Sequence, residues 1–348
     1  MQKLAFGVMD SFETGPGGAL DSEVYEQHIA YAQDAERSGY RYYFFIEHQN
    51  AFFTCVTAPN VYLAALSRET TKLRFGHMVY QVPMYHPIRL AQDAAMVDQL
   101  SHGRLDFGLG YGPRIDEFRR WKLPFTERRE MGVEAMDIIL KAWTQDEVTY
   151  DGEYWSFDEA LPKPKPYQQP HPPVWLGAHS PASFDYAAKM NFHVAQNIDV
   201  DNQVAEKFAY WRDAWSVAGH AEPRPQQMLV RHVHVAETDE QARAEAEPLM
   251  LRGMRGGARR VIAPEERTAV LEELVRVYEE TSRSYDFWID NGLALVGSPE
   301  TVIRRLREQQ AFVGYDVFVG QHHFTGMAQP VVESSMRLFG AEVIPAFR

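Results

Sequence analysis

Cysteine is almost absent, since Cys55 is the only cysteine among the 348 residues. An intramolecular disulfide is therefore excluded, and so is a redox-active cysteine pair. A single thiol fits a reducing compartment, and we expect a cytoplasmic protein. Long apolar runs are missing too, because no window approaches the roughly 18 apolar residues of a membrane-spanning helix. The first residues, MQKLAFGVMDSFE, lack the apolar core of a signal peptide and predict a buried strand instead.

Positive charge is in deficit. The chain has 35 Lys and Arg against 48 Asp and Glu, which gives a net charge of −13. Such a balance argues against nucleic acids and anionic membranes as partners. The hydrophobic content of 45% is ample for a large core. We therefore expect a globular protein with a large hydrophobic core.

The glycine fingerprint of dinucleotide-binding folds is missing as well. The glycines within 15–18 have the wrong spacing and no helix immediately after them, and the glycines of 108–112 run into Pro113. This argues against a doubly wound domain that binds a nicotinamide dinucleotide.

Histidine is plentiful, with 13 residues, but the spacing of metal-binding motifs is not found. No His-x-His stands on the first strand and no H-E-x-x-H occurs, so we expect no catalytic metal. His232 and His234 share one face of a predicted strand, and His322-His323 follow another. We interpret His322 and His323 as candidates for the lining of a substrate pocket.

Strand-like and helix-like patterns alternate along the chain, and most connections between strands are too long for hairpins. This predicts an α/β fold, a single (β/α)8 TIM barrel over 1–348, with a doubly wound sheet as the alternative. Long connections predict insertions after the fourth and seventh strands. In the second of them, glycines beside arginines at 253–257 predict that 252–290 is mobile and closes over the site. The predicted strands are Leu4–Met9, Tyr43–Ile46, Leu73–Val79, Leu105–Leu109, Val174–Ala178, Phe192–Gln196, Met228–Ala236 and Asp316–Gly320.

The stretch from His86 to Gly112 combines a helix, a buried strand and a glycine loop. Pro87 suits the first turn of the helix, and Gly103 is placed to end it in a left-handed conformation. After the strand, glycines such as Gly110 let backbone N–H groups approach a ligand closely. The loop follows the C-terminal end of a strand, where TIM barrels build their sites.

Polar residues follow two other predicted strands. Glu47-His48-Gln49 is either a hydrogen-bonded strand end or part of a site, in which a neutral His48 imidazole can act as a general base. Ser180 and Ser183 open a helix whose exposed N–H groups can bind an anion, although either serine can also be a simple cap.

Four segments carry a resemblance to a known family. They are HPIRLAQDAAMVDQLSHGRLDFGLGYG at 86–112, FFIEHQN at 44–50, PHPPVWLGAHSPAS at 170–183 and VGSPETVIRRL at 296–306. With them the sequence resembles, over nearly its whole length, the bacterial luciferase family of flavin-dependent monooxygenases. The resemblance implies the same barrel. It also implies that reduced FMN (FMNH2) reacts with O2 through a flavin C4a-peroxide, which transfers one oxygen to a small organic substrate such as an apolar carbonyl compound.

The resemblance implies partners too. A separate NAD(P)H-dependent flavin reductase would supply the reduced FMN, which agrees with the missing nicotinamide fingerprint, and we expect a homodimer or larger homo-oligomer. Two other functions stay open. One is hydride transfer with the deazaflavin F420, within the same superfamily. The other is flavin binding without turnover, as in the non-fluorescent relatives of luciferase.

The resemblance also assigns residues around the flavin ring. His48 takes the position of the histidine tied to catalysis, with Glu47 before it, whereas Gln49 replaces a second histidine. Met78 and Val79 match a pair of small or apolar residues under the flavin ring, and in the family this pair is often joined by a non-prolyl cis peptide.

For the flavin phosphate, the resemblance implies two contact segments. The first is Gly110-Tyr111-Gly112, in which Tyr111 replaces an arginine of luciferase; Arg114 is close enough in sequence to substitute for it. The second is His179-Ser180 with Ser183, in which both hydroxyls are preserved and His179 replaces an acid. Ile198 stands where luciferase has an aromatic residue near the flavin.

Overall fold

Eleven β-strands form the framework of the part of the chain that the structure describes. The computed structural model describes residues 4–12, 20–49, 54–254, 276–277 and 279–348. The strands are β1 (Ala5–Asp10), β2 (Tyr42–Phe45), β3 (Arg74–Gln81), β4 (Leu105–Gly110), β5 (Val148–Asp151), β6 (Ser156–Ala160), β7 (Val174–Gly177), β8 (His193–Gln196), β9 (Gln227–Val235), β10 (Ala294–Gly297) and β11 (Val317–Gln321).

Eight of these strands close a parallel barrel in the order β1-β2-β3-β4-β7-β8-β9-β11, and β11 pairs back with β1. This confirms the predicted TIM barrel. The strands β5 and β6 form an antiparallel hairpin outside it. The sequence analysis did not predict β10, which pairs with the segment His232–Val235 of β9, beyond the point where β8 ends.

Helices follow the barrel strands and cover the outside of the barrel. Proline occupies an early position in several of them, where its missing N–H costs no hydrogen bond. The helices are Asp21–Arg37, Pro59–Glu69, Pro87–Leu100, Ile115–Trp121, Arg128–Thr144, Pro181–Lys189, Asp201–Ala218, Asp239–Met254, Tyr285–Asp290, Pro299–Val313 and Gln329–Leu338.

Buried side chains lie in two layers, one between the barrel and its helices and one inside the barrel. The inner layer has an ion pair near the N-terminal ends of its strands. Arg74 Nε donates to Asp106 Oδ2 at 2.6 Å, and Trp175 Nε1 donates to the other oxygen of Asp106 at 2.8 Å. These large side chains fill that end of the barrel, so the C-terminal end is the one that can receive a ligand.

Two insertions extend the barrel, as predicted. The insertion after β4 contains the helices Ile115–Trp121 and Arg128–Thr144 and the hairpin. The insertion between β9 and β10 is described only in part, because 255–275 and 278 lie outside the described residues. The predicted lid at 252–290 falls largely there and stays a prediction. No helix in the described ranges has the length and apolar character needed to cross a membrane.

Candidate active site

The mouth of the barrel has an apolar floor built by β3 and its neighbours. The side chains of Met78 and Val79 both contact the inner core cluster, although they are consecutive. The pairing of β3 with β4 shifts register between His77 and Tyr80, which allows this departure from strand alternation. The peptide bond between Met78 and Val79 is cis, as the resemblance implies.

Two glycines of β4 permit the close approach of this segment. A Cβ at Gly108 would lie 2.0 Å from the carbonyl oxygen of His77, and one at Gly110 would lie 2.1 Å from Val79 Cγ2. Both distances are far below a van der Waals contact, so only glycine fits. Across the floor, a Cβ at Gly177 would lie 3.6 Å from Val79 Cγ1, an ordinary contact. At the level of Val79 the floor therefore carries no side chain at Gly110 of β4 or at Gly177 of β7.

His48 follows β2 and is held by a carboxylate from the first insertion. Its Nδ1 lies 3.0 Å from Glu117 Oε1, and the backbone N–H of Gln49 donates to the same oxygen, also at 3.0 Å. Glu117 is fully buried, and Arg114 Nε lies 3.6 Å from its Oε1. The His48 side chain keeps 19% exposure. The imidazole is thus oriented on one side and reachable by solvent or a ligand.

Glu47 lies in a different environment from His48. Its Oε1 accepts hydrogen bonds from the Tyr85 hydroxyl at 2.6 Å and from Gln49 Nε2 at 2.5 Å. Its Oε2 is buried without a hydrogen-bond partner and lies 3.7 Å from Nδ1 of the buried His77. Burial raises the pKa of Glu47 to about 7, although the bonds from Tyr85 and Gln49 oppose that shift. This carboxyl is therefore half protonated near neutral pH.

An arrangement of polar groups whose chemistry suits an anion lies at the start of the helix Pro181–Lys189. Ser180 Oγ accepts from the Ser183 backbone N–H at 3.4 Å and lies 3.0 Å from Ser183 Oγ. Arg129 donates to the carbonyl oxygen of Ala182 at 3.3 Å, so its guanidinium reaches the first turn of this helix. Its Nε is buried and lacks a partner.

Tyr111 lies beside Arg129. Its ring packs so closely on the helix Arg128–Thr144 that a Cβ at Gly132 would lie 2.3 Å from Tyr111 Cδ1. The Tyr111 hydroxyl is buried without a hydrogen-bond partner. Burial raises the pKa of Tyr111 to about 12, and the positive charge of Arg129 opposes the shift. An unpartnered hydroxyl and an unpartnered guanidinium N–H thus occur in one place.

His179 lies on the loop after β7, and Ile198 lies on the loop after β8. His179 Nδ1 lies 3.3 Å from Asp199 Oδ2, and Lys207 Nζ lies 2.7 Å from the same oxygen. Burial alone would raise the pKa of Asp199, but His179 and Lys207 outweigh it and hold that pKa well below its ordinary range. The buried Arg231 donates to the carbonyl oxygen of Asp199 at 2.8 Å and so fixes this loop. The half-buried Ile198 packs against the outer core cluster.

Three residues with contacts to this region, Glu117, Arg129 and Arg231, were missed from the sequence, and a fourth, Arg114, was expected in a different place. Glu117 lies on a helix too short to show a pattern, and it meets His48 across 69 positions of chain. Arg129 opens the next helix, and two adjacent arginines at a helix start were the only available signal. Arg114, expected near the phosphate segments, instead pairs with Asp116 at 2.9 Å beside Glu117. Arg231 gave no signal beyond being a charge within an apolar strand.

The histidines near the ends of β9 and β11 have different neighbours. His322 is fully buried, with Nδ1 3.0 Å from Ser335 Oγ and Nε2 3.1 Å from the Tyr40 hydroxyl, so it does not line the mouth. His232 stacks on Phe324 with a ring-centroid distance of 5.0 Å. Within the described ranges, no group of three or more His, Cys, Asp or Glu side chains is arranged to hold a metal ion.

Comparison with known proteins gives the same fold and identifies the family. The profile of the luciferase-like monooxygenase family matches residues 4–315. The oxygenase component of a flavin-dependent trigonelline monooxygenase from Acinetobacter baylyi is 29% identical, covering 99% of this chain and 96% of the relative. Limonene 1,2-monooxygenase from Rhodococcus erythropolis is 27% identical, over 92% of this chain and 81% of the relative.

Solved structures share the whole barrel. The FMN complex of the oxygenating constituent of 3,6-diketocamphane monooxygenase from Pseudomonas putida has a TM-score of 0.81 at 21% identity, covering 99% of this chain and 98% of that one. An F420-dependent secondary alcohol dehydrogenase has a TM-score of 0.76 at 19% identity, covering 99% of both chains. At such identities these structures support the fold. Because the family profile spans nearly the whole chain, this protein belongs to the luciferase-like monooxygenase family and is an enzyme of that family.

Proposed function

We propose that this protein is the oxygenase component of a two-component monooxygenase, which uses reduced FMN and O2 to oxygenate a small organic substrate. The observation that carries the proposal is the anion-binding arrangement at the start of the helix Pro181–Lys189. It combines two serine hydroxyls with two buried donors that lack partners, Arg129 Nε and the Tyr111 hydroxyl. Buried unpaired polar groups cost free energy, so a ligand that pairs with them is favoured.

The phosphate of FMN fits this arrangement. A helix N-terminus offers N–H groups to an anion, and a guanidinium adds the charge that Tyr111 cannot supply. Ser180, Ser183 and Arg129 would hold the phosphate, with His179 at its edge. Arg129, and not Arg114, would take the place of the arginine that luciferase has at the position of Tyr111.

The flavin ring fits the low floor at the mouth. Its face would lie over Met78 and Val79, where Gly110 and Gly177 leave room for a planar group. When bound, reduced FMN supplies the electrons that activate O2. The protein's own contribution is to hold the ring, exclude water and place His48 to take or return a proton during oxygen transfer. Glu47 supports this segment through its bond with Gln49.

Two names among the relatives support the finer details. The trigonelline enzyme is named as an oxygenase component, which supports a separate reductase for this protein as well. The two relatives are named for trigonelline and for limonene, which supports a small organic substrate for this protein without favouring one compound. The apolar floor favours an uncharged carbonyl compound or a related molecule.

The runner-up is hydride transfer with F420, supported by the fold shared with an F420-dependent dehydrogenase. A role in flavin binding without catalysis has less support, because all eight strands of the barrel are present and the family consists of monooxygenases. Anaerobic titration separates the cofactors: quenching of tryptophan fluorescence is followed while reduced FMN or reduced F420 is added. We expect tighter binding of reduced FMN; tighter binding of reduced F420 would favour the runner-up.

The same titration tests the phosphate arrangement. Replacing Arg129 with Gln removes one charge-assisted contact, worth about 1.5–3 kcal/mol, so the Kd for reduced FMN should rise roughly 10- to 100-fold. Arg89→Gln is the matched control, since Arg89 is exposed and forms only a surface pair with Asp93. Equal Kd values for both variants would place the phosphate elsewhere.

A further inference from the structure

The carboxylate that contacts His48 has no role in the proposed function so far. We propose that Glu117 is the positioning residue of His48: it keeps the imidazole in the tautomer that carries the proton on Nδ1, and it stabilises the imidazolium formed when Nε2 accepts a proton. The inference rests on the proposed function, in which His48 exchanges protons during oxygen transfer.

The geometry fixes which nitrogen carries the proton. Glu117 Oε1 lies 3.0 Å from His48 Nδ1 and 3.0 Å from the Gln49 backbone nitrogen. A carboxylate only accepts hydrogen bonds, so Nδ1 must donate. A neutral imidazole has one donor and one acceptor nitrogen, and the lone pair is then on Nε2. The shared oxygen also ties the ring to the backbone of the next residue, which limits its rotation.

The burial of Glu117 indicates a task beyond local structure. The side chain is fully buried, and its Oε2 has no hydrogen-bond partner. Isolating a carboxylate in this way is costly, and an apolar residue would pack at lower cost. The nearest charged donor is Arg114, whose Nε lies 3.6 Å from Oε1 while its guanidinium is also bonded to Asp116. The strongest contact of the Glu117 carboxyl with an ionisable side chain is thus the one with His48, at 3.0 Å, where a negative charge would stabilise a positively charged ring.

The groups around His48 give the sign of the pH effect. Glu117 and Arg114 face it from the first insertion, His77 acts on it from β3, and Glu47 is its neighbour in sequence. His77 is fully buried, and burial holds its pKa well below the ordinary range, so it stays neutral. Among the described groups, Glu117 is the one whose carboxylate touches the ring. Loss of its charge should make His48 give up its proton at lower pH.

Three substitutions separate charge from geometry. Glu117→Gln keeps an acceptor oxygen but removes the charge, Glu117→Ala removes both, and Glu117→Asp restores the charge on a shorter side chain. Glu130→Gln removes one exposed carboxylate from the same insertion and is the matched control. The Kd for reduced FMN and the single-turnover rate of product formation are measured for each variant between about pH 5 and 9, where histidine titrates. Trigonelline, limonene and cyclohexanone are the substrates tried.

We expect Glu117→Gln to slow product formation by about 10- to 100-fold, the usual cost of losing an orienting partner, with the Kd for reduced FMN within twofold. The acid limb of its pH profile should move to lower pH, because the variant lacks the negative charge beside the ring. Glu117→Asp should recover part of the rate, and the control should match the wild type. Wild-type rate and pH profile in Glu117→Gln would overturn the proposal. So would failure of all three variants to fold, because Glu117 would then serve the fold alone.

A second measurement needs neither flavin nor substrate. Nitrogen NMR of protein labelled in its histidines reports the tautomer of each ring, and His48→Gln assigns the signal of His48. We expect the Nδ1-protonated form in the wild type and a shift toward the Nε2-protonated form in Glu117→Ala. An unchanged tautomer in Glu117→Ala would overturn the positioning role. Full product yield in His48→Gln would instead overturn the proposed role of His48, and the tautomer result would still stand.

Discussion

At the residue scale, burial changes the ionisation of Glu47, the neighbour of His48. Glu47 has Tyr85, Gln49 and His77 around its carboxyl, and burial raises its pKa from 4.5 to about 7. Between pH 4.5 and about pH 7, the Glu47 carboxyl is ionised in the unfolded chain but still protonated in the folded chain. The carboxyl therefore contributes stability that is complete below about pH 4.5 and is lost as the pH rises through about 7.

Glu47→Gln should remove this dependence, because Gln cannot ionise. Over the window from pH 4.5 to 7, the wild type should lose about 2–3 kcal/mol of unfolding free energy relative to the variant. Urea denaturation of both proteins at several pH values measures the difference directly. Other titrating groups cancel in that comparison. Parallel curves for the two proteins would mean that Glu47 ionises in the fold as easily as in water.

His48→Ala tests the catalytic assignment at the same scale. Flavin binding should stay within a few fold, since His48 touches neither the floor nor the phosphate arrangement in our proposal. The rate of oxygenation should fall by about 10²–10⁴, the range for losing a general base, and product formed per reduced FMN consumed should fall with it. His86→Ala, at an exposed helix start, is the control. Normal product yield in His48→Ala would reduce His48 to a polar residue at a strand end.

Residue roles were only partly predictable from the sequence. His48 follows a strand, and Ser180 and Ser183 open a helix. Strand ends and helix starts can be recognised from the local sequence pattern. Glu117 and Arg129 do not, because their contacts depend on the insertion folding back onto the mouth. Glu117 meets His48 across 69 positions, and Arg129 meets Ala182 across 53. No local pattern encodes pairings of that span.

At the scale of elements, the contact between β3 and β4 determines the floor of the site. Gly110→Ala would place a methyl group 2.1 Å from Val79 Cγ2, and a short branched side chain cannot move far enough aside. We expect a loss of about 1–3 kcal/mol in unfolding free energy, the usual cost of overpacking. Urea denaturation measures it.

Gly177→Ala is the control for that substitution. Its new methyl group would meet the same valine at 3.6 Å, so stability should change by less than about 1 kcal/mol. Equal destabilisation by both substitutions would mean that β3 and β4 approach less closely than described.

The barrel strands were predicted well because each is a short apolar run followed by a helix. Two elements were not predicted from the sequence, each for a physical reason. The helix Ile115–Trp121 has seven residues, too few for an apolar stripe to repeat. The strand Ala294–Gly297 exists because β8 ends at Gln196 and leaves His232–Val235 of β9 open on one side. This unpaired edge of β9 arises only when the barrel closes, so the local sequence does not predict it.

At the scale of the whole molecule, the described residues form one barrel, and the sequence has no glycine fingerprint of a nicotinamide-binding unit. The protein should therefore not reduce its own flavin. Mixed anaerobically with FMN and NADH, it should leave flavin absorbance unchanged until a flavin reductase is added. Bleaching at the rate of turnover without a reductase would refute the two-component assignment.

Oxygen transfer from O2 to an organic substrate is the central claim, and isotopic labelling tests it most directly. The protein is loaded anaerobically with chemically reduced FMN and one of the three test substrates, then mixed with isotopically labelled O2, and products are analysed by mass spectrometry. For a compound that is turned over, the account predicts one labelled oxygen atom per product molecule, and none when protein or reduced FMN is omitted. A product formed with reduced FMN but without labelled oxygen would contradict it, and so would a product that forms only when reduced F420 replaces reduced FMN in the same mixture.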